Sequence, residues 1–212
     1  LKSSAKLRRY EHLAIQPYPR QWVKQVTLHD GQEITIRPIL PRDANAMADF
    51  VKNLSHESRY FRFIANISEL TPRMVASLSH IDYDREMALI AVTEKNGEQV
   101  LMGASRFSDN FDDQSCEFAV VIGDEYQGHG LAALLMRRLM LVANFKGIKE
   151  MKGTVLAENK RMIDFCRRIG FTIKRDPDDI SLVTAYVRLT PKFIEGVREK
   201  LGIASKANKS VE

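Results

Sequence analysis

Residues 120–132 read Val-Val-Ile-Gly-Asp-Glu-Tyr-Gln-Gly-His-Gly-Leu-Ala, a stretch that closes one apolar strand and opens one amphipathic helix. Two glycines one residue apart, Gly128 and Gly130, let the backbone approach an anion closely. The first turn of the following helix adds unpaired N–H groups and the positive end of a dipole. The segment Gln127-x-x-Gly130-x-Ala132 lacks the lysine and Ser/Thr of a P-loop, and its glycine spacing is not that of a dinucleotide fingerprint. A pyrophosphate carried by some other ligand suits it better. An ordinary strand-turn-helix link, with glycines chosen for tight geometry, fits these six residues equally well, so the rest of the chain has to decide.

With 212 residues, 44% hydrophobic and 28% charged, the chain can bury one sizeable core without needing a second domain. No apolar run approaches the roughly 18 residues of a membrane helix, and the start has no signal-peptide h-region; a membrane partner is not expected. The first residue is not methionine, and the start reads as a cut from something longer. Two cysteines, Cys116 and Cys166, are too few for a disulfide framework and fit a reducing cytoplasm. The histidines at 12, 29, 56, 80 and 129 show no metal-ligand spacing, so no metal is expected. A net charge of +5 suits an anionic ligand. Nucleic acid is discounted because the basic residues are scattered, with Arg137, Arg138, Arg167 and Arg168 expected on the solvent faces of two helices.

Taken in order, residues 1–30 hold prolines that forbid a continuous helix and too few apolar residues for a core, and read as a linker packed on its neighbour. After the turn pair Asp30-Gly31, residues 32–39 alternate as a half-buried strand. Asp43 caps a helix over 44–54, residues 55–63 form a second short helix, and Thr71-Pro72 opens a third. Strands 87–92 and 99–107 flank the hairpin pair Asn96-Gly97, and a turn at 109–113 leads into strand 115–122. The glycine loop then opens helix 130–145, followed by strand 151–156, helix 159–169 ended by Gly170, strands 171–175 and 181–189, and a terminal helix from Thr190-Pro191. Residues 201–212 are expected to fray.

Three features share one resemblance. Gln127-x-x-Gly130-x-Ala132 is similar to the Gln/Arg-x-x-Gly-x-Gly/Ala motif of the GNAT N-acetyltransferases, whose loop holds the diphosphate of acetyl-CoA. The order of elements over 32–189 is that of the same fold. Asn159-x6-Cys166-x3-Gly170-Phe171 is similar to the family's Asn-x6-Tyr-x3-Gly-Phe helix. Residues 55–63, Ser-His-Glu-Ser-Arg-Tyr-Phe-Arg-Phe, further resemble bacterial protein lysine acetyltransferases of the Pat type. Those place such a domain behind an acyl-CoA synthetase-like region, of which Ile15-Gln-Pro-Tyr-Pro would be the tail.

The resemblance implies an α+β fold with a mixed, mostly antiparallel sheet of seven strands flanked by helices, its domain covering 31–200. It also implies a splayed strand pair holding CoA. Val120, Val121 and Ile122 would pair with pantetheine, while Gln127, Gly128, His129, Gly130, Leu131 and Ala132 would cradle the diphosphate. Asn159 would touch the cofactor arm, although a helix N-cap is an equally good role for it.

Acetyl transfer to a lysine needs a neutral amine, and an unperturbed lysine has a pKa of about 10.4. Glu117 is the candidate base: it shares a strand face with Ala119 and Val121, and apolar neighbours would raise its pKa into a useful range. Some relatives carry the base five residues before the helix asparagine, where this chain has Thr154. Cys166 stands where many relatives have a tyrosine acid; packing is its expected role. The expected acceptors are protein lysines, on acyl-CoA synthetases by the same resemblance. A small-molecule amine acceptor and a non-catalytic CoA-sensing module are the competing readings.

Overall fold

The computed structural model describes residues 17–28, 30–110 and 114–203. Its helices are α1 (Ala44–Asn53), α2 (His56–Phe63), α3 (Pro72–Ser79), α4 (Leu131–Phe145), α5 (Lys160–Arg168) and α6 (Pro191–Lys200). The strands are β1 (Lys24–Thr27), β2 (Glu33–Pro38), β3 (Glu86–Lys95), β4 (Glu98–Asp109), β5 (Ser115–Ile122), β6 (Glu150–Leu156), β7 (Thr172–Arg175) and β8 (Leu182–Arg188). They form one sheet in the order β1-β2-β3-β4-β5-β6-β8-β7. Every neighbouring pair is antiparallel except β5 and β6, which are joined by the α4 crossover that a parallel pair requires.

The sheet has eight strands where seven were expected. The addition is β1, which pairs antiparallel with β2 from Lys24↔Ile36 to Thr27↔Glu33. Only Val26 of its four side chains is even half-buried, so β1 is held by backbone pairing and carries no apolar alternation to reveal it. The Asp30-Gly31 turn therefore joins two strands; Gly31 adopts φ +84°, and the Asp30 carboxylate accepts from the Gln32 N–H at 3.0 Å. Expectations for residues 1–16, for part of the turn at 109–113 and for 204–212 lie outside the described residues.

Helices cover both faces of the sheet. Met87, Leu89 and Ala91 of β3 face α4, whereas Ala88, Ile90 and Val92 pack in the cluster of Met47, Phe50 and Val51 of α1. That double burial explains why β3 reads as a nearly continuous apolar run. The Asn96-Gly97 hairpin forms as expected, with both central residues at positive φ and Lys95 paired to Glu98, the geometry a two-residue loop favours.

Asp43 stands at the start of α1, but its side chain does not cap that helix. Its carboxylate instead accepts both arms of the buried Arg37 guanidinium, each at 2.7 Å, and the Leu40 N–H at 2.7 Å. Burial raises the Asp43 pKa, yet the bonds from Arg37 and Leu40 outweigh it and hold the carboxyl below its ordinary value. Residues 159–171 end α5 as the sequence implied. Gly170 takes φ +101°, and the N–H groups of Phe171 and Gly170 donate to Cys166 O and Arg167 O, the Schellman pattern.

Candidate functional site

β5 and β6 pair for only three residues, Ser115↔Glu150, Cys116↔Met151 and Glu117↔Lys152. Beyond Glu117, β5 continues against β4 alone as far as Ile122↔Gly103. The parted strands open a cleft of about 790 Å³ whose walls include Val120, Val121, Ile122, Gly128, Gly130 and Asn159. Gln127, Leu131 and Ala132 also line it, so the residues the sequence assigned to one ligand do converge. His129 is exposed beside them without lining the cleft.

Gly128 and Gly130 adopt φ +90° and +82°, and a β-carbon built on either meets no atom within 4 Å. Their hydrogens therefore face open space rather than packed protein. Gly130 is the N-cap of α4 and supplies no side-chain cap. The first N–H to find a partner inside the helix is that of Leu134, bonded to Gly130 O at 3.1 Å. The preceding amides of Leu131, Ala132 and Ala133 are left without an intrahelical acceptor, and no acidic residue occupies the first turn. A 15-residue helix thus offers an uncapped, positive terminus to an anion.

Residues 55–63 brace this loop. Ser55 caps α2 by accepting from Ser58 N at 3.2 Å. Asp124, just after β5, accepts from Ser55 N at 2.7 Å, Ser55 Oγ at 2.8 Å and Ser58 Oγ at 2.6 Å. Burial raises the Asp124 pKa, but these bonds outweigh it and hold the carboxyl below its ordinary value. Gln127 Nε2 donates to Ile122 O at 3.1 Å and Ser58 Oγ at 3.3 Å. Its Oε1 accepts from Arg161 at 2.5 Å. Gln127 is thereby fixed as a strut between β5, α2 and α5. Arg59 donates to Lys52 O at 2.9 Å and to Leu54 O, tying α2 to the end of α1.

Asn159 lines the cleft and also caps α5, its Oδ1 accepting from Met162 N at 3.0 Å. Four arginines, Arg62, Arg137, Arg161 and Arg168, stand on the cleft wall. Arg168 is exposed, as the sequence implies, and Arg137 half-buried, and both also border the cleft. Helical periodicity gives a face relative to the helix's own core; it cannot say that the next face over borders a ligand cleft. Arg161 and the Ser55-Ser58-Asp124 cluster were likewise missed, since their meaning lies in contacts up to 69 residues apart.

Glu117 does not lie in the cleft. It lines an adjoining cavity of about 330 Å³ with Arg62, Phe63, Met74, Leu78 and Arg106 among its walls. Apolar side chains do line that cavity, but two arginines stand among them. Glu117 is exposed, opposite Ser108 on one side and Lys152 on the other. Arg62 belongs to both cavities, so the acid and the cleft meet across that side chain. Cys166 is fully buried in the core, and burial pushes its thiol up to about 12, which suits packing and not proton donation. Among the described residues no group of three metal-ligating side chains occurs, and no helix is long and apolar enough to cross a membrane.

Comparison with known proteins adds to this geometry. The model of the acetyltransferase (GNAT) domain family matches residues 33–172. An acetyltransferase of Pseudomonas aeruginosa is 40% identical over 162 residues, 76% of this chain and 86% of that protein. The acetyltransferase Pat of Mycolicibacterium smegmatis is 27% identical over 78% of this chain but only 49% of its own length. The crystal structure of the GNAT domain of S. lividans PAT superposes with a TM-score of 0.74 at 28% identity, over 81% of this chain and 99% of that one.

Proposed function

The chain belongs to the GNAT family of acetyltransferases, and from that premise we propose that it transfers acetyl from acetyl-CoA to the side-chain amine of a protein lysine. The observation that carries this reading is the parting of β5 from β6 directly above the uncapped start of α4. Such a gap accepts an extended, amide-bearing arm as a substitute strand along Val120 to Ile122. The diphosphate at the end of that arm reaches the amides around Gly128 to Ala132, with Arg137, Arg161 and Arg168 supplying positive charge along the wall.

Transfer is a direct attack in a ternary complex. The neutral lysine amine forms the new C–N bond to the thioester carbon, Glu117 takes the proton the amine gives up, and the C–S bond breaks to release CoA as a thiolate. Glu117 lies one cavity away from the cleft, so a water relays the proton where direct contact fails. A thiolate leaves without strong acid assistance, consistent with a buried, inert Cys166. The Pat-like α2 segment and the two Pat relatives favour a protein acceptor, with acyl-CoA synthetases as the expected targets and a synthetase-like region as the expected fused neighbour; the two free cysteines fit a cytoplasmic setting.

Incubation with labelled acetyl-CoA and a bacterial lysate, followed by mass spectrometry, tests the reading. Labelled lysines on acyl-CoA synthetases are expected. Unlabelled proteins, alongside fast acetylation of a polyamine or aminoglycoside, would replace it with a small-amine acceptor.

A further inference from the structure

The cavity that holds Glu117 carries a cation that no carboxylate pairs with directly. Arg106, on its wall, is already engaged: its guanidinium donates to Glu86 at 2.7 Å and to Ser77 O at 3.4 Å. Arg62 is not. Among the described residues its guanidinium has no hydrogen bond and no ion pair, and it only stacks 4.9 Å over the ring of Phe63. Burial, together with the like charge of Arg106, lowers its pKa to about 10. A half-buried guanidinium with no protein partner keeps its five donors available to an anion that enters the cavity. The same cavity offers Phe63, Met74 and Leu78 as an apolar wall, suited to the methylene stem of a lysine.

From this arrangement we infer that the acceptor is an acidic-flanked lysine: a carboxylate one or two residues from the target lysine docks on Arg62 while the lysyl stem runs along Phe63, Met74 and Leu78 towards Glu117. The inference rests on the protein-lysine reading above and narrows it. Glu117 and Arg62 are then complementary in use, one facing the amine and the other the neighbouring carboxylate. The positive net charge of the chain favours approach of an acidic segment. The proposed contact is a charge-assisted fork on carboxylate, a geometry for which lysine at position 62 would be a poor substitute.

Three lysine peptides, identical but for Glu, Gln or Lys on both sides of the acceptor, test it with the full chain and acetyl-CoA. The Glu-flanked peptide should exceed the Gln-flanked one in kcat/KM by on the order of tenfold, the scale of one hydrogen bond to a charged group. In Arg62→Gln that ratio should fall to about one, and in Arg62→Glu it should invert towards the Lys-flanked peptide. Each ratio is taken within one protein, so a general loss of activity or folding cancels. Fluorescence anisotropy of the same labelled peptides reads the preference without turnover. A parent ratio of one, or an unchanged ratio in Arg62→Gln, overturns the inference and leaves acetyl transfer to lysine standing. Failure of all three peptides in both assays, together with an unlabelled lysate, overturns the protein-lysine reading itself.

Discussion

The ring of Phe118 lies across Gly153, so close that a β-carbon on Gly153 would stand 2.7 Å from Phe118 Cε1 and 2.9 Å from Cζ. Phe118 is the first residue of β5 that no longer pairs with β6, and its ring also packs 4.8 Å from Phe171. Gly153 stays paired to Ala185 of β8. The ring therefore packs over the face of β6 level with the point where the two strands stop pairing, and the missing side chain at 153 makes room for it.

Gly153→Ala should accordingly force Phe118 off its seat. The expected cost is about 1–3 kcal/mol, the usual range for overpacking a filled core, with weaker acetyl-CoA binding because Val120 to Ile122 follow Phe118. Urea unfolding read beside calorimetric titration measures both effects; parent-like stability would mean that the ring moves freely and does not hold the strands apart.

Gly130→Val tests the loop. It places a β-branched residue at φ +82° with its side chain in the open cleft, adding backbone strain to a direct block on the approaching anion. Affinity for acetyl-CoA should fall at least tenfold, on the order of the hydrogen bonds to charge that are lost. Calorimetry on a variant shown by circular dichroism to be folded decides it, and unchanged affinity would remove the loop from the binding site.

Glu117→Gln separates chemistry from binding. Shape is retained and proton acceptance is lost, so turnover should fall by a factor on the order of 100 or more while cofactor affinity holds. Higher pH should partly rescue it, since more of the acceptor amine is then already neutral. Cys166→Ala should mainly cost stability, about 1–3 kcal/mol for a small cavity in the core. Comparing pH–rate profiles of both variants with the parent checks the assignment; a larger loss of activity at 166 would reverse it.

The Arg37–Asp43 pair predicts an acid limb. Asp43 has a folded pKa below its unfolded one, so its contribution is fully present above the unfolded value of about 3.9 and is lost as pH falls through the folded value. Asp43→Asn should destabilise by about 3–5 kcal/mol at neutral pH, because Arg37, 7% exposed, is left as a buried charge without its partner. The gap between parent and variant should shrink at low pH in denaturation curves collected from pH 7 to 2.5. A gap that stays constant would show that the pair does not set the acid limb.

Local chemistry made most of the fold legible. Proline at the start of α3 and α6, serine and threonine caps, Asn96-Gly97 and Gly170 each fix a boundary within a few residues of themselves. The alternating or continuous apolar runs of β2 to β6 and β8 state which faces are buried. The glycine loop was legible for the same reason, since φ above zero at Gly128 and Gly130 is a property of the residue type. β1 was not, because a strand held by backbone pairing at an edge leaves no mark on side-chain periodicity.

Only the tertiary structure decided the site beyond the loop. Pairing halts after Glu117 at the point where Phe118 packs on Gly153 and Phe171, residues 35 and 53 positions further along the chain. Turning Asp43 from helix cap to partner of Arg37, and binding Ser55 and Ser58 to Asp124, likewise required segments that the sequence keeps apart. Glu117 was identified from its strand, but its surroundings came from α2, α3 and β4, which set two arginines among the apolar neighbours. Residue type determines what each short segment can do alone; which charges share a cavity depends on how the packed sheet and helices bring distant segments together.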